Sequence, residues 1–251
     1  MVSIEVKARL IKIASGVFRG PRRLFTDRLF ARFFAQRDYN ARIMIPSAAL
    51  NGQRGRTTIV ERILVDCSVR QIVETGTFRG ATTAWFAKFG LPVHSVESNK
   101  RFAHFNALRF ADNPLIHLAQ MDSARFLDRL AADKSVTSAV TLFYLDAHWG
   151  RRLPLGEEIT TIGRAFPAAI ILIDDFEVPD DPDYGFDDYG PGKRLDLDLI
   201  KRTGVRGLAA FFPVMRGAAE DGPRRGCVVL TTNGGIADRL RRVPLLRQYP
   251  I

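Results

Sequence analysis

Three carboxylates stand at the ends of the two most apolar runs in the chain. Asp146 follows Ala139-Val-Thr-Leu-Phe-Tyr-Leu145, and Asp174-Asp175 follow Ala169-Ile-Ile-Leu-Ile173. Carboxylates that converge without a cation repel one another and raise each other's pKa. An all-oxygen set of this kind suits a hard divalent cation such as Mg²⁺, with water and substrate oxygens completing its shell. Asp175 also reads as a helix or turn cap. His148, two residues beyond Asp146, has the titration range of a general base. Trp149 beside it would wall a substrate pocket or simply pack.

A second group of residues suits a nucleotide-type ligand. Ile72-Val-Glu-Thr-Gly-Thr-Phe-Arg-Gly80 runs from a short apolar strand through a glycine-bearing turn into the helix-forming stretch that begins at Ala81. Gly76 and Gly80 allow a tight turn and a close approach of backbone to ligand, while Glu74 places a carboxylate at the strand's carboxyl end. The pattern is E-x-G-x-x-x-G rather than the dinucleotide G-x-G-x-x-G. Glu97 lies 21 residues after Gly76, the distance at which an acid ending the second strand reaches ribose hydroxyls. Asp122-Ser123 reads either as an adenine or ribose contact or, for Ser123, as a helix N-cap.

The elements that must position these residues alternate regularly. Strands are predicted at 71–74, 92–97, 115–119, 139–145, 169–173, 208–214 and 226–231, with helices at 81–89, 99–111, 123–132, 156–166 and 194–203. Near-continuous apolar strands between amphipathic helices specify a mostly parallel sheet covered on both faces. The expected architecture is an α/β, Rossmann-like, doubly wound, seven-stranded sheet. In such a sheet ligands bind at the carboxyl ends of the strands, where the first five strands here each end in an acidic residue. Thr57 or Thr58 is read as the cap of a helix that leads into the first strand. The segment 177–188 carries six acidic residues among Tyr184 and Phe186, with Tyr189 following, and no Lys or Arg until Lys193. It reads as a solvated loop or, given its aromatics, as a lid facing substrate.

Charge divides the chain unevenly. Residues 1–60 hold twelve Lys or Arg against three Asp or Glu, a net of +9, whereas the other 191 residues hold 25 against 24. Residues 1–56 are therefore read as a basic helical extension, broken at Gly20-Pro21, and 57–251 as the catalytic-type domain. The arm would cover the core, contact a second copy of the chain or another partner, or lie on an anionic membrane surface. The near-neutral domain argues against nucleic acid as its ligand. Cys67 and Cys227, 160 positions apart, read as buried thiols of a reducing compartment. With no run of 18 apolar residues, the expectation is a cytoplasmic protein.

Taken together, these residues resemble the class I S-adenosylmethionine-dependent methyltransferases. Val73 to Gly80 is similar to that family's first motif, which implies cofactor contacts from Glu74, Thr75, Gly76, Thr77 and Gly80, and Glu97 matches its ribose-binding acid. Leu145-Asp-Ala-His-Trp149 and Ile173-Asp-Asp-Phe176 resemble the metal-dependent O-methyltransferases of the catechol and macrocin types. Relative to the catechol type, an alanine is inserted after Asp146, Asp175 replaces an asparagine, and Gly150 stands where a catalytic lysine is expected. The resemblance implies transfer of a methyl group from S-adenosylmethionine to a small-molecule or sugar hydroxyl. Mg²⁺ would be held by Asp146, Asp174 and Asp175, and His148 would take the proton, as the macrocin type implies. Two other readings share the fold: an aminopropyltransferase, whose cationic substrate would suit the acidic loop, and a non-catalytic binding protein on the same scaffold.

Overall fold

The structure, a computed structural model, describes Leu29 and residues 31–36, 48–148 and 152–251. Residues 31–36 are helical, as expected for the arm; its Gly20-Pro21 break and Trp149 lie outside the described residues. No helix among the described residues is long and apolar enough to cross a membrane.

The order of elements is α1 (Arg54–Asp66), β1 (Gln71–Thr75), α2 (Ala81–Ala87), β2 (Val93–Val96), α3 (Lys100–Arg109), β3 (Ile116–Ala119), α4 (Ser123–Ala131), α5 (Lys134–Thr137), β4 (Thr141–Leu145), α6 (Leu155–Ala165), β5 (Ala169–Asp174), α7 (Leu197–Arg202), β6 (Ala209–Pro213), β7 (Cys227–Thr231), α8 (Gly234–Arg241) and β8 (Leu246–Tyr249). They build one sheet in the order β3-β2-β1-β4-β5-β7-β6-β8. β1 to β5 are parallel, and β7 runs antiparallel to both β5 and β6.

Successive strand residues point to opposite faces, and the core follows that alternation. Val73, Phe143, Ile171 and Ile173 pack with Phe126, Ile159 and Leu199 of α4, α6 and α7. Ile72, Leu142, Ile170 and Leu172 pack with Ile63, Phe86 and Leu240 of α1, α2 and α8. Each fully buried Ile, Leu or Phe contributes about 1.5–3 kcal/mol, which is why these strands are apolar on both sides.

The sheet has eight strands where seven are expected. β8 pairs antiparallel with β6 through Phe211↔Gln248 and Phe212↔Arg247. Of its four residues only Leu246 is buried, so this polar edge strand carries too short a pattern to read. α8 also falls outside the predicted elements. α1 begins at Arg54, earlier than a Thr57 or Thr58 cap requires; both hydroxyls instead donate back to carbonyls one turn earlier, at Gln53 and Arg54. Residues 48–56 pack as part of the sheet domain, with Leu50, Gln53 and Arg56 all buried.

Register decides where the site lies. Thr75 pairs with Val96 and Leu145, Val96 with Ala119, and Leu145 with Ile173. The next residues, Gly76, Glu97, Asp146 and Asp174, therefore stand in one row at the carboxyl edge of these strands, Asp174 still as the last residue of β5.

Candidate active site

A cleft of about 640 Å³ opens along that row. Of the residues singled out from sequence, Gly76, Thr77, Glu97, Asp122, Ser123 and Asp146 line it. Glu74, Thr75, Gly80, His148, Asp174 and Asp175 are not among its lining residues.

The turn after β1 is held in a shape few residues adopt. Gly76, Phe78 and Gly80 all have positive φ, at 93°, 47° and 71°. A side chain at Gly76 would put its Cβ 2.6 Å from the Asp146 carbonyl oxygen, so the turn can lie against β4 only because that residue is glycine. Phe78 is the exception, a large residue in the left-handed region. Its amide donates to Glu97 at 2.8 Å and its carbonyl accepts from Asn106 of α3 at 2.7 Å, two bonds that hold the strained conformation. The Phe78 ring, 45% exposed, meets Phe102 edge-on at 4.7 Å, and both rings line the cleft.

Glu74 supports this turn from beneath. It is buried and accepts from the hydroxyls of Thr83 at 2.5 Å and Ser95 at 2.6 Å, and Ser95 in turn hydrogen-bonds Thr77. Burial pushes its carboxyl up from 4.5 to about 7, although the two hydroxyls pull the other way. The unfolded chain ionises this group near pH 4.5 and the folded chain holds its proton until about 7, so the folded state binds more protons between those values. Its contribution is complete below pH 4.5 and lost as pH rises through 7, a change of about 3 kcal/mol. Glu74→Gln removes the titration. In urea unfolding at pH 5 and pH 8, the variant should gain about 3 kcal/mol on the wild type between the two conditions; equal pH dependence of the two proteins would refute the assignment.

Glu97 is half-buried and also accepts from the Asn99 amide at 2.7 Å. Burial raises its pKa against these two amides and that of Ser98. Its amide donors leave acceptor capacity on a carboxylate that lines the cleft, the requirement for accepting from ribose hydroxyls. Asp122, and not Ser123, is the N-cap of α4: it accepts from the Arg125 amide at 3.3 Å and from Arg152 at 3.0 Å. Ser123 is buried in the first turn, close to the cleft floor.

The carboxylates after β4 and β5 divide into two environments. Asp174 is fully buried and its two oxygens are taken by four donors. Oδ1 accepts from the Arg56 guanidinium and the Asp175 amide, and Oδ2 from the Tyr144 hydroxyl and Asn51. Arg56 is itself 1% exposed and also donates to the carbonyls of Arg225 and Gly226. Burial opposes the guanidinium charge, and Asp174, together with Cys227, Tyr144 and Asp175, more than restores it. Asp174 is thus the partner of a buried cation that the protein supplies, which does not fit the expected role of metal ligand.

Asp146, Asp175 and His148 are the residues brought together. One potential ligand atom from each lies within 4.8 Å of the others. The His148 ring is 1% exposed, and neither nitrogen has a hydrogen-bond partner among the described residues. Its Nε2 stands 3.9 Å from Asp146 Oδ1 and 3.9 Å from Asp175 Oδ2. Asp175 turns out of β5 with φ of 54°, and its other oxygen accepts from Arg225 Nε at 2.6 Å. Desolvation by the surrounding protein, although the side chain is partly exposed to the cleft, followed by the charges of Asp174 and Asp175, holds the Asp146 carboxyl well above the usual carboxylate range. For Asp175, burial acts in the same sense but is outweighed by the nearby His148 ring and Arg225, which lower it. Two carboxylates and an orphaned imidazole facing one gap have the donor chemistry of a divalent-cation seat. His148 is not among the cleft-lining residues, whereas Asp146 is.

Sequence reading missed the cations of this site. Arg225 joins Asp175 to Asp187 of the acidic loop, and its main chain exchanges two hydrogen bonds with Gln53, at 2.7 and 2.9 Å. Glu177 pairs with Arg194 at 2.5 Å, and Asp181 accepts from the Gly217 amide at 3.0 Å with Arg216 nearby. Much of the loop's negative charge is therefore neutralised by arginines that follow it in sequence. Glu158 of α6 is a further buried acid, raised to about 7 by burial, with Ser123, His148 and Thr75 around it.

No family sequence model matches the chain, and no curated protein matches it by sequence. Solved structures do. An O-methyltransferase from Bacillus cereus in complex with SAH superposes with a TM-score of 0.53 at 14% identity, over 87% of this chain and 94% of that one. A Klebsiella pneumoniae protein assigned as an O-methyltransferase gives 0.52 at 17% identity, over 92% and 97%. Likeness at these identities is likeness of fold, and it agrees with the strand order and with a cleft at the carboxyl ends of β1 to β4. The chain has the Rossmann-like fold of the class I methyltransferases.

Proposed function

We propose that this chain is an S-adenosylmethionine-dependent O-methyltransferase acting on a hydroxyl of a small molecule or sugar. The observation that carries the proposal is one cleft lined by Gly76, Thr77, Glu97 and Asp146 together. A methyl donor and an oxygen acceptor must share one water-poor space, and this cleft brings the residues suited to each of them into one such space. When bound, S-adenosylmethionine supplies the electrophilic methyl group. Glu97 has the free acceptors for its ribose, the Gly76 turn admits backbone close to it, and Phe78 with Phe102 offers an apolar wall.

A divalent cation belongs to the same proposal. Asp146, Asp175 and His148 would hold it, and when bound it supplies Lewis acidity toward the acceptor oxygen. Asp146 is the member of this group that reaches the cleft, so it is the residue placed to orient the acceptor hydroxyl and take part in moving its proton. Arginines pair with Glu177, Asp181 and Asp187, half of the loop's six carboxylates, which favours this reading over an aminopropyl transfer to a polycationic substrate.

The test is binding of S-adenosylhomocysteine by calorimetry, together with transfer of labelled methyl to a panel of phenols and sugars. Hydrogen bonds to a charged acceptor are worth about 1.5–3 kcal/mol. Glu97→Ala should therefore weaken S-adenosylhomocysteine roughly 10- to 100-fold, with Glu97→Gln in between. Unchanged affinity in Glu97→Ala would place the cofactor elsewhere.

A further inference from the structure

We infer that the cation seat of this chain takes a nitrogen ligand from His148 in place of an oxygen from Asp174, and that it thereby selects a transition cation of the Mn²⁺ class over Mg²⁺. The inference deepens the proposed function and rests on it only for the role of the cation. Its physical content is the identity of three ligands.

Asp174 is excluded by what already surrounds it. Its four donors occupy both oxygens and leave little acceptor capacity for a cation, whereas Arg225 takes only one oxygen of Asp175. Asp146 and Asp175 differ from it in having an oxygen directed at a common gap. Arg225 fixes the far oxygen of Asp175, an arrangement that orients the near one toward His148.

His148 is the independent observation. A buried ring whose two nitrogens have no hydrogen-bond partner among the described residues calls for a ligand. The 3.9 Å separations from Nε2 to both carboxylates are too long for hydrogen bonds. They are close to the spacing of atoms that share one small ion, since ligand bonds of about 2.0–2.2 Å put neighbouring donors about 3–3.5 Å apart. One nitrogen among three protein ligands moves the preference along the divalent series.

The experiment uses the full chain stripped with a chelator and titrated with MnCl₂, free Mn²⁺ being counted by electron paramagnetic resonance, in competition with MgCl₂. One Mn²⁺ should bind, at least about 10-fold more tightly than Mg²⁺. The bound ion should show ¹⁴N modulation from a directly coordinated imidazole, a readout that needs no variant. His148→Ala should lose the ¹⁴N signal and weaken Mn²⁺ by about 100-fold, and His148→Asp, an all-oxygen seat, should recover binding with the preference turned toward Mg²⁺. Bound Mn²⁺ without ¹⁴N coupling, equal affinity for the two ions, or no cation bound at all would overturn the inference. Binding of S-adenosylhomocysteine in the same samples separates the two failures: a chain that binds Mn²⁺ through nitrogen but no S-adenosylhomocysteine sinks the proposed function alone, and the reverse sinks only the metal assignment.

Discussion

Asp146→Asn should lower methyl transfer roughly 10³-fold while leaving S-adenosylhomocysteine affinity within about threefold of wild type. The asymmetry follows from which part of Asp146 each ligand depends on. The β1 turn rests against the Asp146 main chain, where Gly76 approaches its carbonyl and its amide donates to the Thr75 carbonyl at 3.0 Å. Those contacts survive in asparagine. The carboxylate is what faces His148 and Asp175 at one end of the cleft, and a neutral amide neither binds a cation as well nor accepts a proton. Loss of an interaction needed only as charge develops on the acceptor appears in kcat, with the donor's affinity nearly untouched. Single-turnover methyl transfer and calorimetry on the same preparation check the two halves. An equal loss of S-adenosylhomocysteine binding would mean that Asp146 holds the donor, and full turnover would remove it from the reaction.

The parts of this site legible in the sequence are those set by period and register. Continuous apolar runs marked the parallel strands, and the acidic residues after them had to emerge in one row because the strands pair level with one another. What the sequence could not display is pairing at long range. Arg56 is 118 residues from Asp174 and lies in a stretch that reads as a basic arm, so nothing local marks it as the arginine that, among the described residues, enters the core. The acidic loop shows the same effect: within 177–188 no positive charge is visible, yet Arg194, Arg216 and Arg225 fold back onto it. The exchange of Asp122 for Ser123 as the α4 cap is a one-residue boundary, decided by backbone geometry that either residue type permits. His148 was visible as chemistry and not as place. Two residues along an irregular loop, it could have faced the cleft as a base, but its ring is buried between two carboxylates.

The buried pair also carries the largest stability effect. Arg56→Met should destabilise the fold by about 3–5 kcal/mol, because it leaves the Asp174 charge with no exposure and no counter-ion. Methionine fills much of the volume, so the loss is electrostatic rather than a cavity. For a chain of this length that is a melting temperature roughly 10 °C lower, with an unchanged urea m-value. Asp174→Asn in the same background removes the stranded charge while retaining groups that can meet Tyr144 and Asn51, and it should restore about half of the loss. Full restoration is not expected, since Arg56 also satisfies the carbonyls of Arg225 and Gly226. The double variant therefore separates the two jobs of one side chain. No recovery would assign the effect to the carbonyls and to the Arg225 segment they anchor, and a single variant within 1 kcal/mol of wild type would show that water or a proton reaches Asp174 and that the pair is no anchor. Asp174→Ala, at a residue that the family resemblance assigns to the metal, should likewise lower stability, because it strands the buried Arg56 charge.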